Sequence, residues 1–280
     1  MTLPVFFDPE QRLALHAAVT QAPLRPRVPL WAGESVIGSV ESDLLSKILL
    51  SPLYDENSSL SKEERSGCPG WHLRGDVTSG LNRLAAVLRE AGLAGAWRDE
   101  QLAVNDPQGR RLGTVERAAV RPLGITTQAV HLMGQVPDGR FWVQQRAFDK
   151  PNDPGLWDTL MGGMVAAEDT LDSALARETW EEAGLQLADL KALRHGGRIH
   201  TCRPSSDGRG AGYLDEYLDW YHCTVPDGLE PVNQDGEVER FVLMDASDML
   251  ERMHKHEFTR EAALIQADLL AANPGLSSRT

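Results

Sequence analysis

The chain has 280 residues, of which 41% are hydrophobic and 25% are charged, and its formal net charge is −13. This composition is typical of an ordinary globular protein, and the length suits two domains. The acidic balance argues against non-specific nucleic-acid binding and against a membrane-surface role. No segment could span a bilayer and the chain has no basic, apolar leader, so we expect a cytoplasmic protein.

The three cysteines are scattered along the chain, at Cys68, Cys202 and Cys223. They form no CxxC pair and no zinc-ribbon spacing. We therefore interpret them as structural thiols in a reducing compartment.

A small α+β domain is predicted for residues 1–122 from the spacing of apolar residues and turn residues. Its elements, in chain order, are a helix at 7–18, two strands within 27–40 around the turn Gly33-Glu34, a helix at 43–50, a loop at 51–70, a helix at 78–91, and strands at 100–105 and 111–116. The last of these helices is the clearest, because its apolar residues lie in register and Gly92 follows its end.

A second domain is predicted for residues 123–280. Its elements are strands at 128–136 and 140–146 joined by a hairpin turn, a loop at 151–155, a short strand at 157–161, a turn at Gly162-Gly163, a helix ending at Gly184, strands at 194–202, 213–224 and 239–244, and helices at 246–253 and 259–271. Strands with helices on both sides predict an α+β sandwich.

Three glutamates continue the apolar stripe of the helix that ends at Gly184. The apolar members of the stripe are Leu171, Ala174 and Leu175. The next members are carboxylates, Glu178, Glu181 and Glu182. Clustered ionised carboxylates repel one another, and burial strengthens the repulsion. Because hard cations take carboxylate oxygens, a bound Mg²⁺ or Mn²⁺ would remove this conflict, and we predict that the three glutamates are metal ligands.

The segment 163–185 resembles the Nudix box, G-x5-E-x7-R-E-U-x-E-E-x-G-U, in which U is a bulky aliphatic residue. The matching residues are Gly163, Arg177, Glu178, Glu181, Glu182, Gly184 and Leu185. Asp169 stands in place of the first glutamate, and Thr179 in place of an aliphatic residue. The resemblance implies an α/β/α sandwich, a metal also bound by the Gly163 carbonyl, and a structural pair of Arg177 with Asp169.

A narrower resemblance covers most of the chain. It is to a Nudix subfamily related to a fused domain of some fungal thiamine pyrophosphokinases, in which a distinctive N-terminal domain precedes the Nudix domain. The segments that carry it are WRDE at 97–100, VERAA at 115–119, LGI at 123–125, VH at 130–131, PGLWD at 154–158 and NQDGEVE at 233–239. The resemblance implies hydrolysis of thiamine diphosphate or of its oxidised or damaged analogues.

Hydrolysis of a diphosphate requires a carboxylate that accepts the proton of the attacking water. The box glutamates are catalytic candidates as well as metal ligands, and the base is left open between them and a later loop. The later candidates are Glu237, Glu239 and Glu216. We include Glu237 among the catalytic residues, although a solvated Asp-Gly-Glu turn explains it equally well.

Two cations and one aromatic residue are predicted to bind the substrate. Arg146 and Lys150 lie in and just after the strand that precedes the box, where they could meet a phosphate. A surface cation is the more common explanation for each. Trp157 could stack on a ring such as a pyrimidine, as could Trp142 and Phe148, but aromatic residues near strands more often belong to a core.

Two further features have simpler interpretations. His131 lies in mid-strand and is interpreted as a core histidine. Arg203 and Arg209 flank a Gly/Ser-rich loop at 204–212 that could fold over a substrate, and we expect that loop to be mobile.

Three hypotheses for the function follow. The first is a metal-dependent diphosphohydrolase of thiamine diphosphate-like compounds. The second is the same chemistry on another nucleoside or coenzyme diphosphate, such as ADP-ribose or coenzyme A. The third is a metabolite-sensing or partner-binding protein without hydrolysis. An isomerase on the same fold is a remote fourth, because no cysteine lies near the box. A small-molecule diphosphate is the expected partner, nucleic acid and membrane are not, and a homodimer is left open.

Overall fold

The computed structural model describes residues 9–49 and 60–272. The elements of its first part are α1 (Pro9–Val19), β1 (Arg27–Ala32), β2 (Ser35–Glu41), α2 (Leu44–Leu49), β3 (Leu60–Arg65), β4 (Cys68–Leu73), α3 (Val77–Glu90), β5 (Gln101–Asn105), β6 (Arg111–Glu116) and the single turn α4 (Arg117–Val120). Strands β2-β1-β4-β3 form one sheet in that order, and β5 and β6 form a separate hairpin.

The second part of the chain is built on a seven-stranded sheet. Its elements are β7 (Thr127–Gln135), β8 (Phe141–Arg146), β9 (Trp157–Asp158), β10 (Met161–Met164), α5 (Leu171–Ala183), β11 (Lys191–Ser205), the single turn α6 (Asp207–Gly210), β12 (Gly212–Thr224), β13 (Val238–Met244), α7 (Ala246–His254) and α8 (Arg260–Ala272). The strand order is β11-β12-β7-β8-β13, with β10 paired to β7 and β9 paired to β8.

Helices cover both faces of this sheet, so the predicted α/β/α sandwich is confirmed. Successive residues of a strand point to opposite faces, and β7 shows this alternation. Val130 and Leu132 pack in one core with Ala174 and Leu175 of α5. Ala129 and Met133, on the other face of β7, pack in a second core with α7 and α8.

Most of the predicted helices and strands are confirmed, but the loop predicted at 51–70 is wrong where the structure describes it. Residues 60–73 form the hairpin β3–β4, while 51–59 lie outside the described residues. The turn is made by Ser66 and Gly67, both with positive φ, which suits the twist of a two-residue hairpin. The charged residues of β3 alternate with less exposed ones at the edge of the sheet, so its polarity was mistaken for that of a loop.

The Gly162-Gly163 pair was predicted as a turn and instead lies inside strand β10. Gly162 pairs with His131 of β7, and Gly163 pairs with Val130. A Cβ on Gly163 would lie 2.0 Å from the carboxyl carbon of Glu178, so the glycine is needed for close packing and not for chain reversal.

The first helix also departs from the predicted division at residue 122. Val19, at the end of α1, is buried in the core that contains α7 and α8, and Thr20 bridges Cys202 of β11. Helix α1 therefore packs on the sandwich and not on the four-stranded sheet. The predicted start of this helix, at 7–8, lies outside the described residues.

The three cysteines are free thiols. Among the residues that the structure describes, no helix is both long and apolar enough to cross a membrane.

Candidate active site

Helix α5 is defined at both ends by its own sequence. Thr170 accepts a hydrogen bond from the Ser173 backbone, and the Ser173 side chain accepts one from the Thr170 backbone, which completes a capping box. Gly184 ends the helix with a left-handed φ of 64°. Thr179, at the position of an aliphatic residue, is fully buried and donates its hydroxyl to the Leu175 carbonyl at 2.6 Å. The hydroxyl is thus satisfied inside the helix.

Arg177 connects the helix to the chain that precedes it. Its Nε and Nη2 donate to Asp169 Oδ2 at 3.0 and 2.8 Å, and Nη2 also reaches the Met164 carbonyl at 3.2 Å. Its Nη1 donates to the carboxylates of Glu178 and Glu181, both at 2.9 Å. The shorter side chain of Asp169 therefore still reaches the arginine, and Arg177 positions the start of the acidic segment.

One cavity, of about 150 Å³, is lined by residues of the central strand β7, of β10 and of α5. Its cations are Arg117, Arg121, Arg146, Lys150 and Arg203. Its carboxylates are Asp153, Asp158, Glu178, Glu182, Glu216, Glu237 and Glu261. Five cations and seven carboxylates thus line one cavity, together with Gly162 and Gly163. The sequence predicts the carboxylates of α5 and the cations Arg146 and Lys150 here, but not Arg117 or Arg121.

Glu182 is the most buried carboxylate of the box. It is 3% exposed, and its Oε2 accepts hydrogen bonds from Gln144 Nε2 at 2.9 Å and from the Gly162 backbone at 3.0 Å. Burial raises the pKa of Glu182 to about 8, and these two hydrogen bonds and the charge of Lys150 only partly oppose that rise. Burial likewise raises the pKa of Glu178 to about 7, against the charge of Arg177.

The chemistry of these groups fits a hard divalent cation. Glu178 and Glu182 line the same cavity as Gly163, and two buried carboxyls of raised pKa are what an added cation would stabilise as anions. Within residues 9–49 and 60–272, no three His, Cys, Asp or Glu side chains already form a metal cluster. Glu181 is 43% exposed at its side chain and bonded to Arg177, so its predicted role as a ligand stays a prediction.

The structure separates the three predicted substrate-binding residues. Arg146 and Lys150 line the cavity, and Lys150 pairs with Glu237. Trp157 does not line it: the side chain is 4% exposed and is packed in the core with α7 and α8. Its indole lies under the guanidinium groups of Arg240 and Arg252. We therefore remove Trp157 from the site, because no ring of a substrate could reach its face.

The predicted later-loop bases differ in their surroundings. Glu237 lines the cavity, and although burial raises its pKa, the hydrogen bond and charge of Lys150 bring the pKa below its usual value. Glu216 also lines the cavity and accepts a hydrogen bond from the Thr127 hydroxyl at 2.8 Å. Glu239 is exposed on β13 and does not line the cavity.

The loop predicted to be mobile is held against the first part of the chain. Arg121 pairs with Asp207 at 3.4 Å, and Arg209 donates to the Ala91 carbonyl at 3.3 Å. Only Arg203 of this region lines the cavity, where it pairs with Glu261 at 3.1 Å. His131 is buried as predicted, bonds the Thr159 hydroxyl at 3.0 Å, and lies on the cavity wall.

Several lining residues were missed by the sequence analysis. Arg117 is the first residue of α4 and Arg121 directly follows that turn. Asp158, from β9, also lines the cavity and lies 3.4 Å from Arg146 and 3.7 Å from His131. Arg117 and Asp158 fall inside the segments VERAA and PGLWD, which were used only for a resemblance. The resemblance of those two segments was the one signal in the sequence that could have pointed to these residues. Their spacing in the chain does not indicate that they share a cavity.

The protein is thus an α/β/α sandwich in which carboxylates of α5 and several cations line one cavity. Residues 126–264 match the family model described as the NUDIX domain. This part of the chain is therefore a NUDIX domain, and the box resemblance is confirmed at that level.

Curated relatives support the same assignment. The chain is 28% identical over 198 residues to uncharacterized protein YJR142W of Saccharomyces cerevisiae, covering 65% of this chain and 57% of that protein. It is 30% identical over 208 residues to "Nudix hydrolase 20, chloroplastic" of Arabidopsis thaliana, covering 70% and 52%. It is 28% identical over 160 residues to an isopentenyl-diphosphate Delta-isomerase of Streptomyces avermitilis, covering 56% and 77%.

The chain thus spans about half the length of the first two of these relatives. Residues 126–280 make up 155 of 280 residues, or 55% of the chain. Coverage of 65% and 70% is larger than that, so both similarities include residues before the NUDIX domain.

The buried carboxyls predict an inverse dependence of stability on pH. In the folded state the pKa of Glu182 is about 8, above the 4.5 of an ordinary glutamate. Between those values the folded protein keeps a proton that the unfolded chain releases, so raising the pH favours unfolding. We expect the metal-free free energy of unfolding to fall by on the order of 3 kcal/mol from pH 5 to pH 8.

Urea denaturation in EDTA at several pH values measures this slope. Glu182→Gln should flatten it, whereas Glu239→Gln, at an exposed glutamate, should leave it unchanged. A metal-free wild type that becomes more stable from pH 5 to pH 8 would contradict the assignment of a protonated buried carboxyl.

Proposed function

We propose that the protein is a metal-dependent diphosphohydrolase, which cleaves a phosphorus anhydride bond in a small organic diphosphate. The observation that carries this proposal is that the box carboxylates Glu178 and Glu182 line one cavity together with several cations. An anhydride with two phosphates needs both: carboxylates to hold a metal and a water, and cations to hold the phosphate oxygens.

The charge of the cavity supports a requirement for metal. Seven carboxylates against five cations would repel a diphosphate if every carboxylate were ionised. Divalent cations on Glu178, Glu182 and the Gly163 carbonyl would reverse that balance. Bound there, Mg²⁺ or Mn²⁺ would neutralise the bridging oxygen and lower the pKa of a water.

The residues of the chain have separate roles in this proposal. Arg177 fixes the acidic end of α5 through Asp169. A box carboxylate is better suited than Glu237 to accept the proton from water, because Glu237 is already paired with Lys150. That pair would have to open if Lys150 is to meet a phosphate.

Thiamine diphosphate, or an oxidised or damaged analogue, is our first candidate for the substrate. Its support is the resemblance carried by segments on both sides of residue 126. The similarity to the first two relatives likewise extends before the NUDIX domain, which fits the two-part arrangement of that subfamily but names no substrate. ADP-ribose and coenzyme A are the alternatives within the same chemistry. We keep the cytoplasm as the expected location of the reaction.

An isomerase is the competing enzyme class, because one relative is an isopentenyl-diphosphate Delta-isomerase. Among the described residues no cysteine lines the cavity; Cys223 is buried in the core beside α5, and burial raises the pKa of its thiol to about 12. The cavity therefore offers carboxylates and cations but no thiol, which favours hydrolysis.

A substrate panel tests the function. Thiamine diphosphate, its oxidised analogues, ADP-ribose, coenzyme A and isopentenyl diphosphate would be incubated with Mg²⁺ or Mn²⁺, and phosphate and organic products measured. Release of thiamine monophosphate supports both the reaction and the substrate. Turnover of only ADP-ribose or coenzyme A retains the reaction and discards thiamine. Binding without turnover favours a sensor, and rearrangement of isopentenyl diphosphate without phosphate release contradicts hydrolysis.

A further inference from the structure

Arg117 reaches the cavity from outside the NUDIX domain. It is the first residue of α4, nine positions before residue 126, and it lines the same cavity as Glu178 and Glu237. Its guanidinium lies in the electrostatic field of both carboxylates. One wall of the diphosphate cavity is therefore supplied by the part of the chain that precedes the domain.

The position of Arg117 is fixed by the hairpin β5–β6. Its backbone N–H donates to the Glu100 carbonyl at 2.8 Å, and its Nη1 donates to Glu100 Oε2 at 2.7 Å. Glu116, directly before it, is buried and accepts hydrogen bonds from the backbones of Ala118 and Arg98. A side chain held through both its own backbone and its guanidinium loses little freedom when it binds a ligand.

The same hairpin is docked on the segment that leads into α5. Leu102 bridges Ala166, and the Ala167 N–H donates to the Gln101 carbonyl at 2.7 Å. Arg111 Nη1 donates to the Ala167 carbonyl at 2.9 Å. Ala166 and Ala167 lie in the chain between β10 and α5. Their contacts with the hairpin therefore set the position of Arg117 relative to the box carboxylates.

Arg117 has more free hydrogen-bond donors than Arg146. A guanidinium carries five N–H donors. Arg146 uses Nε, Nη1 and Nη2 on the Asn152 carbonyl and on Asp158. Within the described part of the chain, only Nη1 of Arg117 has a hydrogen-bond partner. Arg146 is therefore held by three hydrogen bonds and keeps two N–H donors, whereas Arg117 keeps four that can bind a new anionic ligand.

We propose that Arg117 is the phosphate-binding arginine of this site, so that the N-terminal part of the chain completes the diphosphate subsite. The inference rests on the proposed function for the nature of the ligand. It assigns to the region before residue 126 a direct role in binding the substrate, and it replaces Arg146 by Arg117 as the main contact to phosphate.

The test compares Arg117→Ala and Arg117→Lys with Arg110→Ala, in the full chain. Arg110 lies in the turn of the same hairpin, its exposed side chain pairs with Asp106, and it does not line the cavity. Its replacement by alanine removes the same charge without changing the contacts that dock the hairpin. We expect the KM of the best diphosphate of the panel to rise about 10- to 100-fold in Arg117→Ala, as for a lost charged hydrogen bond. Arg117→Lys should recover part of this loss, because it keeps the charge but not the fork.

Binding of methylenediphosphonate, which cannot be hydrolysed, gives a second readout by calorimetry in the presence of Mg²⁺. Its affinity should fall in parallel with KM in Arg117→Ala and stay at the wild-type value in Arg110→Ala. If Arg117→Ala does not fold, Arg117→Gln, which can still donate to Glu100, takes its place.

The outcomes separate this inference from the proposed function. Unchanged KM and unchanged diphosphonate affinity in a folded Arg117→Ala overturn the inference even if the wild type is active. An equal loss in Arg110→Ala also overturns it, because the loss of a positive charge, and not of a contact in the cavity, would then be the cause. The wild type could turn over no diphosphate and still bind methylenediphosphonate, with the affinity lost in Arg117→Ala. That result would contradict the proposed function and support the inference.

Discussion

Glu182→Gln is expected to lower turnover by at least about 10³-fold and to stabilise the metal-free protein at the same time. Metal ligation supplies several kcal/mol to the transition state, and about 4 kcal/mol corresponds to that factor. Glutamine keeps an oxygen that can accept the Gly162 N–H, now at 3.0 Å from Glu182 Oε2, so the fold should persist. The amide carries no charge that folding must bury, so the free energy of unfolding of the metal-free protein at pH 8 should rise.

Steady-state turnover and urea denaturation at pH 8 in EDTA measure the two effects. A surface change of the same chemistry, Glu239→Gln, controls for the loss of one negative charge. Opposite signs for activity and stability would mark Glu182 as a residue retained for function at a cost in stability. Wild-type turnover in Glu182→Gln would remove the residue from the metal site.

Gly163→Ala should reduce turnover by about 10²-fold or more through a steric effect on Glu178. An added Cβ would lie 2.0 Å from the carboxyl carbon of Glu178 and 2.3 Å from its Oε2, well inside van der Waals contact. The carboxylate has to move, and a displacement of about 1 Å in a catalytic site can cost 10²-fold.

A double-mutant cycle distinguishes this cause from general damage. With Glu178→Ala as background, Gly163→Ala meets no carboxylate, so its additional cost should nearly vanish. Kinetics of the wild type, both single variants and the double variant give the coupling. Additive losses would show that Gly163 acts in some other way, for instance through its pairing with Val130 in β10.

The parts of the site that sequence could predict are those encoded by local spacing. The glutamates of α5 lie within five residues of one another, and Gly184 and Thr170 define the helix ends by their own backbone preferences. Residues close together in the chain determine the helix, its ends and its acidic stripe. The spacing of residues in the sequence is therefore sufficient to predict them. The α/β/α order follows in the same way from alternating strands and helices.

The remaining features depend on contacts between distant residues. Arg117 meets Glu178 across 61 positions, and their common cavity exists only after the hairpin docks on Ala166 and Ala167. Trp157 carries an aromatic ring that could stack on a substrate, but in the folded protein Arg240 and Arg252 cover that ring. Strand β3 was missed because an exposed edge carries polar residues on a β backbone, which the apolar pattern does not report.

Helix α1 makes the order of synthesis matter for folding. It packs against α8, more than 240 positions later in the chain, while the four-stranded sheet and the β5–β6 hairpin lie between them in sequence. The intervening region can fold on the ribosome, but the core that buries Val19 closes only when α8 has emerged. Until then the surface of α1 that packs on α8 stays exposed to solvent. A truncation that begins at residue 126 would lack α1 and would expose the part of α8 that α1 covers.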